Sequence, residues 1–91
     1  RRDVFCEGIN AIEKLSVKVP KGAFYLFVNI EKTGLSSQEF CEKLLETKNV
    51  LCSPGSAFGK IGDQFVRFSY ATSMENILIG IDRIKEFVNE L

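Results

Sequence analysis

Arg67 is the side chain of this sequence best suited to hold an anion. It is the one full charge inside the apolar run of "DQFVRFSYA". A guanidinium is a planar fork, and it can grip a carboxylate through two parallel N–H···O bonds. Arg67 alternates with Phe65 and Ser69, opposite Val66, Phe68 and Tyr70, so the run reads as a strand from Phe65 to Tyr70. No Asp or Glu stands beside it on that strand. If both faces of the strand are covered, the charge needs an anionic partner, because an unpaired buried ion is too costly. Two readings follow from residue type. One is a half-exposed strand arginine, or one paired to a distant glutamate. The other is a fork held for the carboxylate of a ligand.

A second candidate lies just upstream. "PGSAFGKIG" looks like a phosphate loop, whose backbone N–H groups curl round phosphates while a hydroxyl holds Mg²⁺. The spacing from Gly55 to Gly59 is one residue short, and Ile61 stands after Lys60 where a Ser or Thr is required. A strand follows instead of a helix, so the anion would lack a helix N-terminus. The stretch is therefore expected to be a turn-rich connection. Its glycines permit positive φ or close backbone approach, and such a loop often edges a binding site.

Cys6, Cys41 and Cys52 are widely spaced, without a C-x-x-C pair, and the chain has no histidine. Zinc sites that use histidine, Ser-His and Cys-His nucleophile pairs, and histidine acid/base chemistry are excluded. The three thiols are expected as small buried hydrophobes in a reducing compartment, with a metal or redox role as the alternative. No metal site is expected.

These residues must be carried by a small frame. The chain has 91 residues, 45% apolar and 26% charged, which suits one globular domain with a thin core. Twelve basic and twelve acidic side chains cancel, which argues against a nucleic-acid or membrane-surface binder. No apolar run is long enough to cross a bilayer, and no signal-peptide pattern stands at the start. The opening residues already run in helical phase from Arg1, which suggests a fragment that begins in or just before a helix.

Periodicity and turn chemistry place the elements. The first helix is expected to fade near Ile12, with Val4, Gly8, Ile12 and Leu15 on one stripe and Phe5 and Ile9 beside it. "SVKV" alternates as a strand, "PKG" turns the chain, and "AFYLFVNI" is a longer strand apolar on both faces, so both faces are expected to be covered. After the loop "EKTG", Ser36 and Glu39 form a capping box, with Leu35 and Phe40 placed as a hydrophobic staple. Phe40, Cys41, Leu44 and Leu45 make the buried stripe of this helix, and Asn49 ends it in a left-handed turn. "VLC" is a short strand. Thr72 and Glu75 are expected to cap the last helix, which buries Met74, Ile77, Ile81, Ile84, Val88 and Leu91. The order α-β-β-α-β-β-α makes an α+β fold, with a mostly antiparallel sheet and helices packed on it.

Taken in order, "PKGAFYLFVNI", "SSQEFCEKLLE", "VLCSPGSAFG" and "FVRFSYATSMENILIGIDRIKEF" resemble the closing stretch of class I pyridoxal-phosphate-dependent aminotransferases, the aspartate-aminotransferase-like branch. "RRD" is similar to the segment where that family's small C-terminal domain gathers, so the resemblance spans essentially the whole chain. It implies that residues 1–91 are one domain, the C-terminal small domain of a larger aminotransferase whose large cofactor-binding domain lies outside this chain. It implies that Arg67 binds the α-carboxylate of the substrate. Gly22 and Phe24, in the "PKGAFY" turn, would edge the substrate pocket, although Phe24 serves equally well as core.

The family's cofactor-linking lysine stands in an S-x-x-K context, and no lysine here does. The aspartate that pairs with the pyridine nitrogen and the residues that cradle the phosphate also belong to the large domain. The chain alone is therefore expected to carry no catalytic residue, to bind no pyridoxal phosphate and to be inactive. The whole enzyme would transfer an amino group between an amino acid, aspartate or similar, and a 2-oxo acid. The resemblance also implies a homodimer in the cytoplasm, serving amino-acid metabolism. The alternative is a free-standing small domain that binds an organic acid through Arg67, or a protein partner, without catalysis.

Overall fold

The computed structural model describes residues 2–17, 25–58, 61–70 and 72–91. Helix α1 (Arg2–Asn10) leads into strand β1 (Ser16–Val17), and β2 (Tyr25–Asn29) returns beside it. A 3-10 turn (Glu31–Thr33) leads to helix α2 (Ser37–Lys48) and the short strand β3 (Ser53–Pro54). Two further 3-10 turns (Gly55–Phe58 and Ile61–Gln64) precede β4 (Phe65–Ser69), and helix α3 (Met74–Asn89) closes the chain. The expected α+β order is the observed one. Among the described residues the strands form a four-stranded sheet, β1-β2-β4-β3, with every neighbouring pair antiparallel. The turn expected at Pro20 to Gly22 lies outside the described residues, as do Gly22 and Phe24.

Strand alternation divides this sheet into two unlike faces. Leu26 and Val28 of β2 and Val66 and Phe68 of β4 point inward and are buried. They meet Phe5 and Ile9 of α1, Phe40 and Leu44 of α2, and Ile77, Ile84, Phe87 and Val88 of α3 in one core. Phe40 stands edge-on to Phe87 with ring centroids 5.2 Å apart, and Phe5 tilts against Phe68 at 5.8 Å. A side chain at Gly8 would run into Ile81, so the missing Cβ is what lets α1 and α3 approach closely. The other face of β2 is open. Tyr25 is 41% and Phe27 50% exposed, which corrects the expectation that both faces of this strand are covered within the chain.

Helix α2 starts and stops as its sequence dictates. The Ser36 hydroxyl accepts from the Glu39 N–H at 3.2 Å, and the Glu39 carboxylate accepts from the Ser36 N–H at 3.1 Å. That backbone bond, joined by the Ser36 side-chain bond, holds the Glu39 carboxyl below the usual carboxylate range. Asn49 ends the helix with φ 58°. Val50 then returns its N–H to the Leu44 carbonyl at 3.5 Å, still completing the helix end. For that reason β3 begins at Ser53 and not at Val50 as expected.

Other boundaries move for equally local reasons. α1 ends at Asn10, before Ile12, because the Asn10 side chain turns to β1: it donates to the Val17 carbonyl at 2.9 Å and accepts the Val17 N–H at 2.8 Å. Ile12 and Leu15 remain buried in the turn that follows. The cap of α3 is Ser73, whose hydroxyl accepts from the Asn76 N–H, while Thr72 takes the Asn76 side chain instead. Phe87 joins the core of this helix, whereas Met74 and Leu91, at its two ends, are exposed. Leu45 also lies off the buried stripe of α2.

Candidate functional site

Arg67 sits at the middle of β4, the centre of the open face. It pairs across to Phe27 of β2 on one side and to Ser53 of β3 on the other. Its side chain is half-buried. Tyr25 pairs with Ser69, so it is the diagonal neighbour of Arg67 on the same face. The guanidinium carbon lies over the Tyr25 ring, 4.3 Å from its centroid. Such a contact is worth about 0.5–1 kcal/mol at an exposed site. Carboxylate recognition by a guanidinium uses its N–H edge. Tyr25 thus helps fix where the guanidinium sits. Phe27, Phe65 and Asn29 complete the surrounding strand positions.

The described part of the glycine-rich loop before β4 is folded tightly against the frame. The backbones of Gly55 and Gly62 meet so closely that a Cβ on either would strike the other's carbonyl oxygen. Ser37, fully buried, donates its hydroxyl to Asp63 Oδ1 at 3.0 Å, and the Ser37 N–H donates to the same oxygen at 3.2 Å. The Ser56 N–H in turn donates to the Ser37 hydroxyl at 3.2 Å, and the Gln64 carbonyl accepts from the Ile30 N–H at 2.8 Å. The anion at the N-terminus of α2 is therefore the protein's own Asp63 carboxylate, which the helix dipole favours. Among the described residues of the loop, Ser56, Asp63 and Gln64 spend these polar groups on the fold.

Two features of this site were not readable from residue types. The Tyr25 stack needs the strand register, which no local pattern encodes. The Ser37–Asp63 bond joins residues far apart in the chain, and no local pattern signals it.

Among the described residues no group of His, Cys, Asp or Glu is placed to hold a metal ion. No helix is long and apolar enough to cross a membrane. The cavity of about 360 Å³ between Lys14, Ser16, Asn29 and Lys32 lies at the β1 end of the sheet and does not include Arg67. The open-face strand positions around Arg67 offer neither an amine nor a second cation, so they do not fit a phosphorylated aldehyde cofactor. The group they do offer is the Arg67 guanidinium, a type of group that can take a carboxylate.

Residues 1–84 match the family model for aminotransferase class I and II. The chain is 45% identical over 86 residues to an aspartate aminotransferase of Pyrococcus horikoshii, an alignment covering 94% of this chain and 22% of that protein. It is 43% identical over 90 residues to an aromatic-amino-acid aminotransferase of Thermococcus litoralis, covering 99% of this chain and 23% of the relative. A crystal structure of an aromatic aminotransferase from Pyrococcus horikoshii matches the fold with a TM-score of 0.93 at 40% identity, over 98% of this chain and 24% of that one. The chain thus spans less than a quarter of the length of these relatives.

Proposed function

The chain belongs to the class I and II aminotransferases, and we propose that residues 1–91 are the C-terminal small domain of a pyridoxal-phosphate-dependent member, in which Arg67 binds the α-carboxylate of the substrate. The observation that carries this reading is the placement of Arg67: central on an open, aromatic sheet face, with its guanidinium over the Tyr25 ring. The whole enzyme transfers an amino group between an amino acid and a 2-oxo acid. The relatives' names point to aspartate or an aromatic amino acid as the donor. We assign it to the cytoplasm and to a homodimeric assembly on the same family reading.

In this division of labour the rest of the polypeptide holds the cofactor, which supplies the electron sink for chemistry at the α-carbon. The residues of this chain bind and orient. Arg67 grips the carboxylate bidentately, which sets the direction of the other α-carbon bonds. Tyr25 and the neighbouring aromatic side chains exclude water when the face is covered, and a drier site strengthens the ion pair. The 91-residue chain by itself is inactive.

The test is Arg67→Ala in the full polypeptide. Removing one partner of a desolvated charge pair predicts a loss in kcat/KM of about 100-fold, or ~2.7 kcal/mol. Stability without substrate should change by about 1 kcal/mol or less, since the side chain lies outside the buried core. Unchanged kcat/KM overturns the assignment.

A further inference from the structure

The cysteines take no part in carboxylate binding by Arg67. All three are free and buried, but they are not equivalent. Cys41 on α2 and Cys52, just before β3, place their sulfurs 3.0 Å apart, with the Cys52 S–H donating to Cys41 Sγ. A disulfide has an S–S length of about 2.05 Å, so closure asks the two sulfurs to move together by about 1 Å. Cys6 stands apart from this pair, on α1.

We propose that Cys41 and Cys52 are a redox-convertible dithiol, oxidised by a small-molecule disulfide of the glutathione type to an intramolecular bridge that ties α2 to β3. The reaction is two thiol–disulfide exchanges. The Cys41 thiolate attacks one sulfur of the oxidant and bonds to it, the oxidant's own S–S bond breaks, its other half leaves as a thiolate, and Cys41 carries the mixed disulfide. Cys52 gives its proton to solvent and attacks Cys41 Sγ, and the second small thiolate leaves. Two protein thiols are oxidised by two electrons, and one small disulfide is reduced to two thiols.

The order of attack follows from the hydrogen bond. Accepting the Cys52 S–H pulls the Cys41 pKa below that of an ordinary thiol, against the opposing effect of burial. Donating that bond, together with burial, pushes Cys52 up. Access for the oxidant comes through the segment between α2 and β3. Leu51 is 77% exposed, and no sheet ladder holds residues 50–52. Such a segment opens locally at low cost compared with the core. The bridge would form next to Ser53, the β3 partner of Arg67.

The experiment uses the unmutated polypeptide. It is equilibrated under native conditions in an excess of oxidised glutathione, quenched by alkylation and mapped by peptide mass. The expected product is a Cys41–Cys52 linked peptide, with Cys6 alkylated and both thiols recovered after dithiothreitol. In Cys52→Ser, Cys41 should accumulate as the mixed disulfide with glutathione. Alkylation of both Cys41 and Cys52 after full exposure to the oxidant would overturn the proposal, as would a bridge that includes Cys6. Neither readout depends on transaminase activity, so this proposal and the assignment of Arg67 fail separately.

Discussion

The two faces of one sheet carry different loads. The inner face is continuous hydrocarbon, in which Leu26, Val28, Val66 and Phe68 are buried against three helices. The outer face, one residue out of phase along the same strands, carries Tyr25, Phe27, Phe65 and Arg67 with substantial exposure. The inner face is optimised for packing, since every side chain there lies within the fold. Among the described residues the outer face spends its apolar area on no core, and it sets a charge among aromatic rings. A strand therefore stabilises the fold with one set of residues and presents a ligand contact with the alternate set, and the short separation keeps the contact rigid.

Substitutions should separate the faces, beginning with the largest effect. Phe40→Ala removes a fully buried ring packed edge-on to Phe87. It should destabilise the fold by about 3–5 kcal/mol, read as a lowered denaturant midpoint, and so remove activity by unfolding. Arg67→Ala should do the opposite: little change in that midpoint, and the roughly 100-fold loss of kcat/KM described above. If Arg67→Ala proved as destabilising as Phe40→Ala, the two faces would both be serving the core.

Tyr25→Leu sharpens the comparison. It keeps an apolar residue on the outer face and removes the ring beneath the guanidinium. With a stack worth about 0.5–1 kcal/mol, kcat/KM should fall by about 2- to 5-fold, mostly through KM, with stability nearly unchanged. No kinetic change would mean that the ring does not orient Arg67 for binding.

The smallest effect concerns the frame alone. The Glu39 carboxyl is held below its ordinary pKa by its bonds to Ser36. A carboxylate with a depressed folded pKa stabilises the fold fully above its unfolded pKa and loses that contribution as pH falls through the folded value. Glu39→Gln should therefore show less loss of stability on acidification below the ordinary carboxylate range than the parent chain does. An identical acid profile for the two would exclude a titrating cap.

Much of this division was legible before any coordinates. The alternation of Leu26, Val28 and Ile30 marks one buried face of β2, and the spacing of Ser36, Glu39 and Asn49 marks both ends of α2; each is a local pattern with a local cause. What escaped reading is non-local. The stack of Tyr25 under Arg67 depends on a register between strands separated by a helix. The Cys41–Cys52 contact depends on how the end of α2 turns back, and Asp63 reaches Ser37 from across a loop. The open outer face misled for a related reason. Aromatic residues alternate there as they would in a core, and composition does not say whether the cover belongs to the same chain or to another part of a longer polypeptide.

The most direct test of the central claim is Arg67→Lys in the full polypeptide, with kcat/KM measured across acidic, aromatic and small aliphatic α-amino acids. The carboxylate is common to all of them, and a point charge does not replace a bidentate fork. The account predicts a loss of one common factor for every substrate. A loss confined to one side-chain class, or no loss, would contradict it, because Arg67 would then be reading the side chain or not touching the substrate.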